Sequence, residues 1–254
     1  MRHLLRFYSG EGVPTMVFRS ESGGVESLVL GGEQDISFSD RLACIGFRTP
    51  DGYCSCPNSA IHTRQCPTCS ALDISRAYTV GDFSGYPALY EEAKSQEYVL
   101  YLAGFGQDIV KCGVTRKERF ENRMREQGAD FGAIVATYLG PDEVYGAEAM
   151  LQSRFNFANS VRLAQKIRRL EFDTGIAREN FKEALGIVSA SGIFPSFSPK
   201  TADFSQDYPR VKKPQETHSI LGEILGAKGE ILLFKSESGR HFAVNMRKKT
   251  GTFF

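Results

Sequence analysis

Five of the six cysteines, Cys44, Cys54, Cys56, Cys66 and Cys69, fall within the stretch 44–69, and this cluster constrains the fold more than any other feature of the chain. Its core reads CSCPNSAIHTRQCPTC. The step Cys66-Pro-Thr-Cys69 forms a tight turn that aims two thiolates at one point. A second pair upstream then completes the tetrahedron that zinc accepts. Cys44 and Cys56 are taken as that second pair, with Cys54 and His62 as substitutes. A redox Cys-x-x-Cys belongs at a helix N-terminus in a βαβ context, which the residues around Pro67 do not suggest. In a chain without a secretion signal, thiols this close read as metal ligands rather than disulfides; a cluster of reduced structural thiols is the competing reading. Four protein ligands leave no open position, so the zinc is expected to be structural.

The chain has 254 residues, enough for one large domain or two small ones. Hydrophobic residues make up 41% and charged residues 24%, ordinary values for a globular protein. No apolar run reaches the roughly 18 to 20 residues of a membrane span. The opening MRHLLRFYSGEG is basic and briefly apolar but has no h-region. A cytoplasmic protein without membrane association is expected. The net charge of +1 supplies no global field for nucleic acid, so any such affinity must come from local patches.

Two segments echo one another. Met16–Gly24 (MVFRSESGG) and Leu232–Arg240 (LLFKSESGR) each set an apolar strand against Ser-Glu-Ser-Gly, a sequence that closes hairpins. The two ends of the chain are therefore expected to share one sheet or small barrel. The predicted order is an N-terminal β subdomain with the cysteine cluster (1–80), an αβ module (85–188), a Ser/Pro-rich linker or strap (189–215) and a C-terminal β segment packing with the N-terminal subdomain (216–254). The class is α+β.

Within the module the pattern predicts strands at 97–103 and 109–113, a helix at 115–127, a strand at 132–139 and a helix at 141–155. Thr115 and Glu118 read as a capping box. Arg116, Arg119 and Arg123 then share one helix face, and Phe120 and Met124 another. In the second helix Val144, Leu151 and Phe155 form an apolar stripe that also carries Glu148. A carboxylate there is costly unless paired or bound to a metal, and a salt bridge to one of the arginines is the plain alternative. Strand alternation sets Cys112 on the face opposite Lys111, which favours a buried thiol over a nucleophile.

The order Tyr101, Lys111-Cys112-Gly113, Arg119, Glu148 resembles the GIY-YIG nuclease module, an antiparallel three-stranded sheet flanked by helices. Val99–Tyr101 stands at the first motif and Lys111–Gly113 at the second. Together with CIG, CP, QCPTC, YLAGFG, KCGVT and REQGAD, the chain resembles an uncharacterised prokaryotic family that joins a zinc-binding cysteine cluster to a degenerate module of this kind. The resemblance implies Tyr101, Lys111, Arg119 and Glu148 as catalytic groups, with Mg or Mn at Glu148. It also implies Arg116, Arg123 and the backbone at Gly113 as nucleic-acid contacts, Gly113 admitting a phosphate or helix N-terminus. Two departures stand out: Val99 replaces a glycine and Lys111 a tyrosine. An ammonium can contact a phosphate oxygen but cannot take over every role of a phenol. Two functions follow from the resemblance. One is a divalent-metal-dependent endonuclease. The other is an RNA (tRNA-like) binding module, or a protein acting on a tRNA-linked group, with nuclease chemistry altered or lost.

Overall fold

The structure, a computed structural model, describes every residue except Glu11, Ala60, Ile61, Ser198 and Pro199. The chain divides into two compact units. Met1–Ser9, Val13–Tyr90 and Gln215–Phe254 form the first, and Gly10–Gly12 with Glu91–Pro214 the second.

The chain first lays down an antiparallel sheet of β1 (His3–Tyr8), β2 (Thr15–Arg19) and β3 (Val25–Val29), in that order. It continues through β4 (Glu33–Ser37), the hairpin β5 (Phe47–Thr49)–β6 (Gly52–Cys54) and the short helices α1 (Pro67–Leu72) and α2 (Ser75–Val80). The division between units falls within α3 (Pro87–Lys94). The second unit holds β7 (Glu97–Phe105), β8 (Ile109–Arg116), a 3₁₀ turn (Lys117–Arg119), α4 (Phe120–Gln127), β9 (Phe131–Leu139) and α5 (Val144–Phe155). It closes with α6 (Leu163–Ile167), α7 (Thr174–Ala190) and β10 (Ala202–Asp203). The chain then returns to the first unit with β11 (Gln215–Thr217), β12 (Ser219–Lys228), β13 (Ile231–Lys235), β14 (His241–Asn245) and α8 (Met246–Lys249).

In the first unit β12, β13 and β14 join β4 and β11 in a five-stranded sheet of order β11-β14-β13-β12-β4. Its inner face and that of the three-stranded sheet bury one core. Leu4, Phe7 and Met16 meet Ile36, Ile220, Leu232, Phe234 and Val244, and burying each such side chain is worth about 1.5–3 kcal/mol. Of the expected single sheet or small barrel, the single sheet is corrected: the two echoing hairpins lie in separate sheets over one common core of the first unit. The echo is nevertheless a repeated turn. The Ser20 and Ser22 hydroxyls are 2.9 Å apart, as are those of Ser236 and Ser238. The Gly23 N–H donates to Ser20 O at 3.0 Å and the Gly239 N–H to Ser236 O at 2.8 Å. Backbone bonds also join the chain's first and last residues, Arg2 N–H to Phe254 O at 2.8 Å and Leu4 N–H to Thr252 O at 2.9 Å.

The second unit is built on a four-stranded antiparallel sheet of order β10-β9-β7-β8. The central β7, EYVLYLAGF, is buried at every position after Glu97, as a run apolar on both faces requires. Val99, Tyr101, Ala103 and Phe105 pack against Phe120 and Met124 of α4 and against Phe204 and Tyr208. On the other face Phe181 of α7 stacks on Phe131 with ring centroids 5.8 Å apart. The Ser/Pro-rich segment contributes β10, and the Tyr208 hydroxyl donates to Ala129 O at 3.0 Å.

The start of the arginine helix differs from expectation. Pairing with β7 extends β8 through Thr115 and Arg116, opposite Val99 and Tyr98. Thr115 is therefore a strand residue rather than a cap, Arg116 lies outside the helix, and Arg119 stands at the N-cap of α4. Ladder bonds to a buried central strand outweighed the local capping signal.

Candidate metal centre and charged cluster

Cys44, Cys56, Cys66 and Cys69 bring their sulfurs within 4.8 Å of one another. They are the only group of three or more His, Cys, Asp or Glu side chains among the described residues placed to hold a metal ion. The Cys56 and Cys66 sulfurs are 3.9 Å apart. Four ligands at about 2.3 Å around a tetrahedral zinc would stand about 3.8 Å apart, so the spacing fits. Cys54 and His62 are exposed and outside the set.

Two turns present three of these sulfurs, those of Cys44, Cys66 and Cys69. In the first, Cys44-Ile-Gly46, the Gly46 N–H donates to Cys44 Sγ at 3.4 Å. Gly46 has φ +86°, and a Cβ there would lie 2.1 Å from Cys54 O, so only glycine admits this turn. In the second, Cys66 is the N-cap of α1, with Pro67 at the helix start, and Cys66 Sγ accepts from the Cys69 N–H at 3.5 Å. The pair does sit at a helix start, contrary to the sequence reading, though the strands described just before it, β5 and β6, pair antiparallel. The Cys66 N–H reaches across to Cys44 Sγ at 3.2 Å.

Gln65 clamps the two turns. Its Nε2 donates to Gly46 O at 2.8 Å and to Asp73 Oδ2 at 2.6 Å. Buried Asp73, the C-cap of α1, is held below the usual carboxylate range by Ser75, Gln65 and backbone N–H groups, which outweigh its burial. The Cys69 N–H brings the Cys66 thiol down to about 7, while burial pushes the Cys44 and Cys69 thiols up. Loading a metal here therefore has to displace thiol protons.

The second unit gathers a different group. Tyr101 on β7 is paired with Gly113 on β8 and is 1% exposed. A Cβ at Gly113 would lie 2.4 Å from the Tyr101 hydroxyl. Gly113 thus makes room for the Tyr101 ring, and this corrects the expectation that its bare backbone faces a phosphate or helix end. The hydroxyl accepts from Gln127 Nε2 at 2.9 Å. Burial raises the Tyr101 phenol and the nearby Arg123 guanidinium opposes this.

Lys111 lies on the same face of β8, two residues from Gly113, and is half-buried. Burial and then the Arg123 charge lower its pKa, against the pull of Glu148. Glu148, half-buried on α5, is raised by burial and lowered by Lys111. Its one hydrogen bond among the described residues is from Gln152 Nε2 at 3.4 Å, and no ion pair with Lys111 closes within 4.0 Å. Tyr101, Lys111, Arg123 and Glu148 therefore lie within electrostatic reach of one another.

The remaining arginines are turned elsewhere. Arg119 pairs with Glu126 at 2.9 Å, and Arg123 touches the same carboxylate more weakly at 3.5 Å. Arg116 bonds Gln96 at 3.4 Å and Glu118 at 3.2 Å. Cys112 is fully buried and its thiol is pushed up to about 11 by burial and Glu148, which leaves it protonated and inert. Gln127 is the group that sequence reasoning missed. It sits one helical turn past Arg123 and reads as an ordinary surface glutamine, and only the β7–α4 packing brings it to Tyr101.

No described helix is long and apolar enough to cross a membrane. Residues 35–253 match the family model described as "Protein of unknown function (DUF2797)", and the chain belongs to that family. No curated protein and no solved structure matches it.

Proposed function

We propose that this DUF2797 chain is a nucleic-acid-acting zinc protein: the four-cysteine centre holds a structural zinc, and the charged cluster of the second unit binds a phosphodiester. The observation that carries this reading is the meeting of Lys111, Arg123 and the Tyr101 hydroxyl on one side of a rigid sheet. The two cations can meet an anionic oxygen, with the buried Tyr101 hydroxyl behind them. Tyr101 is buried and its oxygen is occupied by the Gln127 amide, so its role is to hold the neighbourhood of Arg123 rather than to activate water. Arg123 takes the place that the resemblance gave to Arg119: it lies near Tyr101 and Lys111, while Arg119 makes the shorter of the two ion pairs to Glu126.

Hydrolysis is a second reading, favoured by one observation. Glu148 is not closed into an ion pair among the described residues, so its carboxylate is available to a Mg or Mn ion, which would stabilise charge on a phosphoryl group. RNA binding without cleavage is the reading if no such ion binds.

The test is incubation with total tRNA, plasmid and single-stranded DNA, with and without Mn²⁺, alongside gel-shift binding. Lys111→Met and Arg123→Ala are expected to weaken binding, and Glu148→Ala to abolish any cleavage while sparing binding. Binding unchanged in the Lys111→Met, Arg123→Ala double variant would remove the cluster from the function.

A further inference from the structure

The N-terminal sheet of the first unit turns one cation toward the cysteine centre. Arg19, the last residue of β2, stands directly opposite His3 on β1. Residues paired in this way across an antiparallel ladder put their side chains on one face. That face meets the first cysteine turn: His3 Nε2 lies 3.2 Å from the carbonyl oxygen of Ala43, the residue before Cys44. Burial lowers the His3 pKa, the Ala43 carbonyl opposes this, and the Arg19 charge adds to it.

Tyr53, on β6, joins the same two parties from the other side. Its hydroxyl lies 3.1 Å from the position a Cβ would take on Gly46, in the turn that follows Cys44. Its phenol is pushed up to about 12 by burial, against the Arg19 charge and with Cys44, Asp73 and Cys69 raising it further. One hydroxyl thus feels both the Arg19 guanidinium and two of the four sulfurs.

Arg19 is half-buried, and its Nη2 is buried with no hydrogen-bond partner among the described residues. An unpaired guanidinium N–H away from water is costly, and such a group asks what completes it. The arginines that flank the cysteines in sequence, Arg41, Arg48 and Arg64, are exposed, where water and salt screen their charge. Four thiolates around a divalent ion make a dianion. We infer that Arg19 is the counter-charge of the loaded centre: its guanidinium favours that dianion and ties metal loading to the N-terminal sheet. This deepens the reading of the four cysteines as a zinc centre and rests on it.

The full-length, reduced protein is loaded with zinc and titrated with a chromophoric chelator. Arg19→Met is expected to lower zinc affinity by about 10–100-fold, the scale of outer-shell losses, and Arg19→Lys to keep most of it. Arg2→Met is the control. The Arg2 guanidinium lies over the Phe18 ring, 5.1 Å from its centroid, and its loss should leave the affinity unchanged. Thermal melts separate charge from packing. Arg19→Met should lower the midpoint of the zinc-loaded protein and leave that of the metal-free protein unshifted or higher, since an unpaired buried N–H is removed. An arginine with a merely structural role would lower both. Where the metal-free chain gives no cooperative melt, cobalt absorption decides: weaker binding with unchanged bands supports the counter-charge, and altered bands show a distorted site and overturn it. If Arg19→Met does not fold, Arg19→Gln takes its place. Equal zinc affinity in the parent and the neutral variant overturns the inference, as does an equal loss in Arg19→Lys, and both leave the zinc reading standing. A parent that binds no zinc ends that reading and this inference with it.

Discussion

The metal centre of the first unit and the charged cluster of the second answer one problem in opposite ways. Both put reactive polar atoms beside a core. In the cysteine centre the groups are tied to one another: the Cys44 and Cys66 sulfurs accept backbone N–H groups, Gln65 ties the two turns together, and the four sulfurs are spaced to suit one tetrahedral ion. In the cluster, Lys111 and Glu148 are half-buried and sense each other without closing a bond. A closed set of partners is what stability selects. An open set of charges costs stability, and natural folds keep such sets where a ligand completes them.

That contrast breaks first at the cysteines. Cys66→Ser is expected to lose the metal and unfold the first unit, because the binding energy of a structural zinc is folding energy. Metal analysis of freshly purified, reduced protein should find about one zinc per chain in the parent and none in the variant. A metal-free parent with an unaltered melt would leave the four thiols as simple core residues. Gln65→Ala comes next. It removes the clamp but no ligand, and outer-shell losses of this kind lower metal affinity by about 10–100-fold. Competition with a chromophoric chelator measures it, and an unchanged affinity would show that the turns hold themselves.

The two regions were also unequally legible in the sequence. The cysteine set could be read because metal ligation needs specific residue types at specific spacings, and few cysteines were available to choose from. Even there the N–H donors to sulfur and the Gln65 clamp were invisible, since they depend on how two turns meet. The three main strands of the second unit could be read from apolar runs, with β10 hidden in a segment that looked like a linker. The helix start could not. Thr115, Arg116 and Glu118 carry a good local capping pattern, but Thr115 and Arg116 are drawn into the β8 ladder by their partners on β7. The substitution of Arg123 for Arg119 at the cluster follows directly from that shift. Gly113 was misread because a glycine that makes room for a cross-strand ring looks the same in sequence as one that admits a ligand.

Gly113→Ala sharpens the last point. The added methyl would lie 2.4 Å from the Tyr101 hydroxyl and 2.5 Å from its ring, and the strand and ring cannot both stay in place. Overpacking of this kind costs about 1–3 kcal/mol, to be read from the denaturant midpoint. A glycine kept open for a ligand would tolerate alanine in the free protein, so an unshifted midpoint would reverse the assignment.

The smallest effect tests the open character of the cluster itself. Lys111 has its native pKa lowered by burial and by Arg123, so between that value and the ordinary lysine range the native state binds fewer protons than the unfolded state. Stability then rises with pH across this window, and the cost of the buried ammonium is fully present below it. Lys249 contributes with the same sign, while the raised phenols Tyr101 and Tyr208 act in the opposite direction above the ordinary tyrosine range. The informative quantity is therefore the stability of Lys111→Met minus that of the parent. It is expected to favour the variant at neutral pH and to shrink as pH rises. On the acid side the sign reverses. Glu148 has a raised native pKa, so stability falls as pH rises through the window between the ordinary carboxylate range and that value. Removing Lys111 takes away the charge that holds Glu148 down, which extends this fall to higher pH. Denaturant melts across the pH range measure both limbs. A pH-independent difference would mean that Lys111 and Glu148 are as well satisfied as the cysteines, and the contrast between the two regions would disappear.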